Sequence, residues 1–295
     1  FINSGTVSKK NPASPDEQNR LAFSRTLGKV KKSVSGYFML GYDDIYSIQY
    51  FGENLRPYWN KNGDKTIYDI FPVAANEYEK LKKACDKFDN TLMKEAIRSG
   101  GVEYAELCAL AYRQSVSAHK LLKAPNGDLL FLSKENYSSG SIATVDVSYP
   151  SAPLFLLYNV DLMKGMLNPI FYYVESGKWG HPFAPHDIGI YPIANGQVTS
   201  TYLPVEESGN MLILTTAIAT MEGDARYAEQ HWNTLSQWAD FLAKKGFDPD
   251  YQENTDVFAG RSAHNANLSI KAIQGIACYG DRKSTRLNSS HVSES

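Results

Sequence analysis

The residues best suited to chemistry lie close together in one stretch of this sequence, between Glu175 and Asn210. The stretch mixes carboxylates, imidazoles and amides with aromatic rings, which is typical of a site that orients a small polar substrate. Most of it is a predicted loop that ends at Pro204 and is far longer than the median connection of about 4–6 residues. Because long ordered loops inside a domain usually carry function, we expect a binding or catalytic site here.

Three acids of this stretch are candidates for catalysis, namely Asp187, Glu206 and Glu207. The two glutamates lie in the first turn of a predicted helix, where the macrodipole favours acids by about 0.3–1 kcal/mol without any catalysis. They also face the long loop, so one of them could act as a general base. Asp187 is the natural partner, since two carboxylates in different environments could act as base and acid on an amide or a glycoside.

Five further residues are candidates for substrate binding: Lys178, Trp179, His186, Asn210 and His264. The imidazoles could donate hydrogen bonds, the amide could both donate and accept, and the lysine could pair with a substrate carboxylate. The indole could stack on a substrate. Structural roles compete with each of these, such as bracing of loops, capping of helices or packing in the core.

Two other kinds of site are not favoured by the sequence. The histidines lack the spacing of a zinc site, so we expect no catalytic metal, and no motif indicates another cofactor. Ser208-Gly209 does not match the G-x-S-x-G elbow of a serine nucleophile.

Composition excludes some classes of partner. The 30 basic and 32 acidic residues nearly balance, so nothing favours nucleic acid or an anionic membrane. No apolar run reaches 18 residues, so we expect no transmembrane helix. A small molecule remains the expected partner.

The first elements of the chain predict a β layer followed by helices. Residues 36–42 and 45–51 are rich in aromatic and β-branched residues and predict two strands. From about Ala75 the apolar spacing becomes helical, with a break predicted at Gly100-Gly101 and a second helix over 102–122. Asn126-Gly127 predicts a tight turn of a small β-hairpin.

Helical spacing continues through the rest of the chain. It predicts a helix over 153–175 with a kink or a break at Pro169, and another over 204–221 that ends at Gly223. Two more are predicted over 224–246 and 264–279. Helices joined alternately by short and long connections indicate stacked antiparallel hairpins, hence a mainly α protein.

The last residues, 281–295, have a different composition. Their sequence, DRKSTRLNSSHVSES, is polar and rich in serine, and it looks like a translated sequencing adaptor. We predict that this segment is a non-native tail without structure.

Four separated blocks of the sequence resemble the glutaminase A family: ESGKWGHPFAPHDIGIYPIANGQ, PVEESGNMLIL, HWNTLSQWADFLAKKGFDP and AHNANLSIKAIQGIA. The resemblance implies an N-terminal β-sandwich followed by an (α/α)6 toroid of six helical hairpins. Residues 1–74 would then be the end of the β-sandwich domain with its linker, and residues 75–280 the first half of the toroid. Since a complete toroid needs twelve helices, we expect the chain to be a fragment.

The resemblance also implies an activity and a location. Family members are secreted proteins of fungi and bacteria, so we expect an extracellular or periplasmic protein that hydrolyses L-glutamine to L-glutamate and ammonia. Members of the family carry two adjacent acids where this chain has Asp256-Val257. Asp256 is therefore a candidate for substrate binding, and Val257 leaves a catalytically silent protein as an alternative. A glycoside hydrolase is a second alternative, because many of these enzymes share the toroid.

Overall fold

The computed structural model describes residues 26–135, 139–200, 202–255 and 260–292, with side chains as far as Asp281. The chain divides into two compact units, Phe1–Gly41 and Tyr42–Ser295. The described part of the first unit contains no helix or strand, so the strand predicted over 36–42 is wrong. A strand needs a neighbour to pair its peptide groups, and no described strand pairs with these residues.

The second unit begins with a small sheet. Strand β1 (Ile48–Tyr50) lies inside the predicted strand over 45–51 and pairs antiparallel with β2 (Glu53–Leu55). On its other side β1 pairs parallel with β5 (Ile193–Ala194), which belongs to the long loop. A short 3-10 helix follows at Tyr58–Asn60.

Helix α1 (Ile67–Ser117) starts earlier than predicted, because Thr66 and Asp69 form a capping box ahead of Ala75. The predicted break is confirmed at Gly101, whose φ of 88° and ψ of −177° are not helical. The helix predicted to continue to residue 122 stops at Ser117, since the next residues pair as strands.

Strands β3 (His119–Lys123) and β4 (Leu129–Ser133) form an antiparallel hairpin. The turn predicted at Asn126-Gly127 is confirmed, and Gly127 has a φ of 97°. Pairing of the two strands therefore overrides the helical spacing of the β3 residues.

The helix predicted over 153–175 is two helices, α2 (Val145–Tyr158) and α3 (Val160–Glu175). The break falls at Asn159, whose side chain accepts the N–H groups of Asp161 and Leu162. The helix does not break at Pro169, which lies inside α3 on its buried face, so that part of the prediction is wrong. Packing of that face compensates for the backbone hydrogen bond that proline cannot donate.

Helix α4 (Pro204–Glu222) confirms both predicted ends, with proline in its first turn and Gly223 left-handed at φ 74°. The single helix predicted over 224–246 is instead α5 (Arg226–Gln230) and α6 (Trp232–Lys245). His231 interrupts it: its ring stacks 3.8 Å from that of Phe171, and its Nδ1 lies 2.9 Å from Glu175 Oε1.

Helix α7 (Ala266–Val292) corrects the prediction for the tail. The segment from residue 281 was expected to have no structure, but the helix continues to Val292. No proline follows Ala266 in the sequence to stop it, and each residue added to a helix gains a backbone hydrogen bond.

Helix α4 lies at the centre of the second unit. Its residues are buried or half-buried as far as Ala219, and it packs against α2, α3, α5, α6 and α7, whereas its last turn is exposed. Within the described residues, no helix combines the length and the apolar character needed to cross a bilayer.

The contact between α4 and α7 depends on two glycines. A β-carbon placed on Gly209 would lie 2.6 Å from Lys271 Cγ and 3.2 Å from its carbonyl oxygen. One placed on Gly275 would lie 3.2 Å from the Cα of Gly209. The two backbones can therefore approach this closely only because both positions lack a side chain.

We predict that Gly209→Ala destabilises the protein by about 1–3 kcal/mol, because the added methyl group must push α7 and Lys271 aside. Urea unfolding measures the change. The matched control is Gly280→Ala in α7, where nothing lies within 4 Å of the added carbon. This control should gain about 0.5–1 kcal/mol from helix propensity. Equal effects of both substitutions would show that the contact is not tight.

Candidate functional site

Backbone pairing holds the long loop against the residues that precede α2. Ile142 donates its N–H to Gly189 O at 2.8 Å, and Ile188 returns a bond to Ile142 O at 3.1 Å. Val145 then donates to His186 O at 3.0 Å. Loop residues 186–189 therefore lie alongside the start of α2, which brings the first turn of that helix next to His186.

His186 lies between two aspartates. Its Nδ1 donates to Asp187 Oδ2 at 2.7 Å, and its Nε2 lies 3.6 Å from Asp146 Oδ1 in the first turn of α2. Burial acts to lower the pKa of His186, but the hydrogen bond to Asp187 and the charge of Asp146 outweigh it and raise this pKa. Burial also raises the pKa of Asp146, against the opposing charge of His186.

Asp187 has little capacity left for a substrate. It is 1 % exposed, and its Oδ1 accepts the N–H of Gly189 at 2.8 Å while Oδ2 accepts from His186. Both oxygens are therefore engaged, and the carboxylate fixes the orientation of the imidazole.

Glu206 and Glu207 are buried, unlike most acids in the first turn of a helix. They are 4 % and 0 % exposed. Among the described residues, Glu206 Oε2 and Glu207 Oε1 have no hydrogen-bond partner. Burial raises the pKa of Glu207 well above its usual range, and the charges of Asp146 and Glu206 raise it further. Macrodipole stabilisation of solvated acids does not account for such a pair.

Lys271 of α7 provides the positive charge of the site. Its Nζ lies 3.2 Å from Glu206 Oε1 and donates to Asn210 Oδ1 at 2.7 Å. The ammonium also lies 3.7 Å from the centre of the Tyr149 ring, a cation–π contact. Asn210 in turn donates to Glu207 Oε2 at 3.1 Å. A continuous polar network therefore joins α4 to α7.

The structure thus brings together five of the residues predicted from sequence: His186, Asp187, Glu206, Glu207 and Asn210. Ser208, which did not match a nucleophile motif, donates to Pro204 O at 2.7 Å and accepts the N–H of Ala184 at 3.1 Å. It joins the loop to α4.

Three other predicted residues lie elsewhere. Trp179 is 9 % exposed, packs among aromatic rings of the loop and donates Nε1–H to Phe183 O at 2.6 Å, so it offers no open face for stacking. Lys178 is exposed on the loop. His264 is exposed, with its Nδ1 2.6 Å from Asp248 Oδ1. Asp256 lies outside the described residues.

Sequence reasoning missed Asp146 and Lys271. Asp146 precedes the helix predicted to start at residue 153, so the sequence provides no helix face on which to place it. Lys271 does carry a signal, because it is a lone charge beside Leu268, Ala272 and Gly275 on the apolar face of α7. A lysine at such a position needs a buried partner.

The fold agrees with a match to a family model. Residues 101–294 match the glutaminase A six helical-hairpin domain, and residues 1–95 match a domain of unknown function (DUF5127). The chain belongs to the glutaminase A family.

Two fungal relatives are similar in sequence. Glutaminase A of Aspergillus oryzae is 35% identical over 262 residues, which cover 86% of this chain and 38% of that protein. A probable glutaminase of Arthroderma benhamiae is 28% identical over 284 residues, or 75% of this chain and 32% of that protein. The chain therefore spans about a third of the length of these relatives. The mainly α fold with helical hairpins is confirmed, whereas the boundaries at residues 74 and 280 remain predictions.

We predict that Lys271→Met destabilises the protein by about 3 kcal/mol, because it leaves Glu206 buried without its counter-charge. Urea unfolding at pH 7 measures this change. The double variant Lys271→Met, Glu206→Gln should recover most of the loss, since the uncompensated charge is then absent. A double variant no more stable than Lys271→Met alone would contradict the ion pair.

Proposed function

We propose that this chain supplies the acid–base residues of a glutaminase-like hydrolase that converts L-glutamine to L-glutamate and ammonia. The observation that carries the proposal is the buried pair Glu206 and Glu207, each with an oxygen that lacks a partner among the described residues. The names of both relatives support this choice of substrate.

Hydrolysis of an amide needs a base that takes a proton from water and an acid that protonates the leaving nitrogen. Glu206 is the proposed base, because it is ion-paired with Lys271 through Oε1 and keeps Oε2 free of described partners. Glu207 is the proposed acid, because burial and the nearby charges of Asp146 and Glu206 raise its pKa well above the usual range and so favour its protonated form. Water oxygen bonds to the carbonyl carbon as Glu206 takes one of the water protons. The C–N bond then breaks as Glu207 gives its proton to the leaving nitrogen, which departs as ammonia.

The remaining residues position the substrate in this proposal. His186 donates a hydrogen bond to it, and Asp187 keeps the imidazole in place from the other side. Asn210 and Lys271 hold the two glutamates in their different environments. The resemblance to secreted proteins favours an extracellular or periplasmic location, which stays a prediction.

Glu207→Gln should lower kcat by about 10²-fold or more, since the amide keeps the shape of the side chain but cannot donate the acid proton. Asp187→Asn should also lower kcat, by disturbing the orientation of His186. Release of ammonia from L-glutamine measures both effects, in the natural protein that carries this chain.

The control is Asp240→Asn, which changes an exposed acid of α6 outside the site and should leave kcat unchanged. Circular dichroism checks that each variant is folded. If Glu207→Gln keeps the parental kcat, the two glutamates are structural. Release of reducing sugar from a glycan panel, without release of ammonia, would instead indicate a glycoside hydrolase.

A further inference from the structure

Three potential metal ligands converge in the site from three separate segments. One carboxylate oxygen of Asp146, one of Glu207 and a ring nitrogen of His186 all lie within 4.8 Å of one another. They come from the start of α2, the start of α4 and the loop between α3 and α4. Carboxylate oxygens lie about 2.0–2.2 Å from zinc and imidazole nitrogens about 2.0–2.1 Å. A small contraction of this cluster would bring all three into that range.

Two of the oxygens in this cluster lack a hydrogen bond among the described residues. Glu207 is completely buried, and its Oε1 has no hydrogen-bond partner in the part of the chain that the structure describes. The same holds for Asp146 Oδ1, although Thr255 hydrogen bonds to the Asp146 side chain. Burial of unpaired carboxylate oxygens costs free energy, and a cation between them would recover it.

The orientation of His186 also suits a metal ligand. Because Nδ1–H donates to Asp187, the neutral imidazole carries its lone pair on Nε2, the nitrogen that faces Asp146. Histidines that bind metals almost always donate their other ring N–H to a carboxylate, a carbonyl or water. Asp187 fits that role, since its second oxygen is fixed by Gly189.

We propose that Asp146, His186 and Glu207 bind one divalent transition-metal cation of the Zn²⁺ or Mn²⁺ type. An imidazole nitrogen with two carboxylate oxygens suits these ions, whereas Ca²⁺ requires 6–8 oxygen ligands. Three protein ligands also leave a coordination position open, as in catalytic zinc sites. The sequence-based expectation of no catalytic metal rested on the spacing of the histidines. This cluster contains only one histidine, so its spacing gives no signal.

The proposal concerns binding and stands whether or not the substrate is glutamine. A carboxylate must lose its proton to bind a metal. The acid role of Glu207 and the hydrogen bond that His186 would donate to a substrate from Nε2 therefore belong to the protein without the cation.

The test is binding of ZnCl₂ and MnCl₂ to the purified 295-residue chain, after treatment with a chelator. Isothermal titration should show one ion per chain, and X-ray absorption of the zinc complex should show one imidazole nitrogen at about 2.0–2.1 Å. Asp146→Asn and Glu207→Gln should each weaken binding by about 100-fold or more. Asp187→Asn should weaken it by about 10–100-fold, as expected for a residue that orients a ligand.

Asp240→Asn is the control and should bind with the affinity of the parent chain. Thermal unfolding of each metal-free variant checks that it is folded. The X-ray absorption spectrum of the zinc complex of the parent chain identifies the ligands without any substitution. Absence of binding at millimolar metal overturns the proposal. The same affinity in the parent and in the Asp146 and Glu207 variants also overturns it, because it shows an adventitious ion only.

Discussion

Two adjacent glutamates are buried at the start of the central helix α4, and the residues around them have to compensate for the water that these carboxylates lose. Placing a carboxylate in a protein interior costs several kcal/mol unless charges and hydrogen bonds replace its hydration. Lys271 and Asn210 supply part of this replacement, and the N-terminal dipole of α4 adds to it. Compensation is incomplete, because each glutamate retains an oxygen without a partner among the described residues. A carboxylate that is buried and incompletely compensated favours binding of a proton or a cation.

The loop before α4 is ordered by hydrogen bonds between its backbone and the backbone of other segments. It joins the residues before α2 through the bonds of Ile142 and Val145, and it joins the first sheet through β5. Gln197 adds a side-chain bond to the N–H of His186 at 2.9 Å. A loop with so many satisfied peptide groups behaves as part of the scaffold, so its histidine and aspartate have fixed positions. The site is therefore built on rigid backbone although most of its segment lacks regular secondary structure.

The sequence predicted most reliably those features that depend on neighbouring residues. Both ends of α4, the break at Gly101 and the turn at Asn126-Gly127 follow from local conformational preferences. The breaks at Asn159 and His231 were missed because packing and side-chain bonds at those points decide where the helices divide. Pro169 shows the reverse case, a local signal that tertiary packing overrides.

The residues of the site also divide into those that neighbouring sequence predicts and those that only the tertiary fold brings in. The residues of the loop and the first turn of α4 could be predicted, because they are close in sequence and chemically unusual. Asp146 and Lys271 join them only through the fold, by the backbone pairing that precedes α2 and by the contact of α7 with α4. Trp179 and His264 had suitable chemistry but lie apart from the carboxylates, since aromatic packing and an exposed loop position them. Chemical type alone could not distinguish these two groups.

The close approach of α4 and α7 at Gly209 and Gly275 limits how this protein can move. A shift of α7 by one residue along α4, about 1.5 Å, would bring a side chain into the contact at Gly209 and Gly275, which has room only for the hydrogen atoms of glycine. Sliding of these two helices is therefore blocked, although such shear is a common way for helical proteins to close around a ligand. The carboxylates of α4 and Lys271 of α7 therefore keep fixed positions relative to one another. Any closure around a ligand bound here would have to come from the connecting loops.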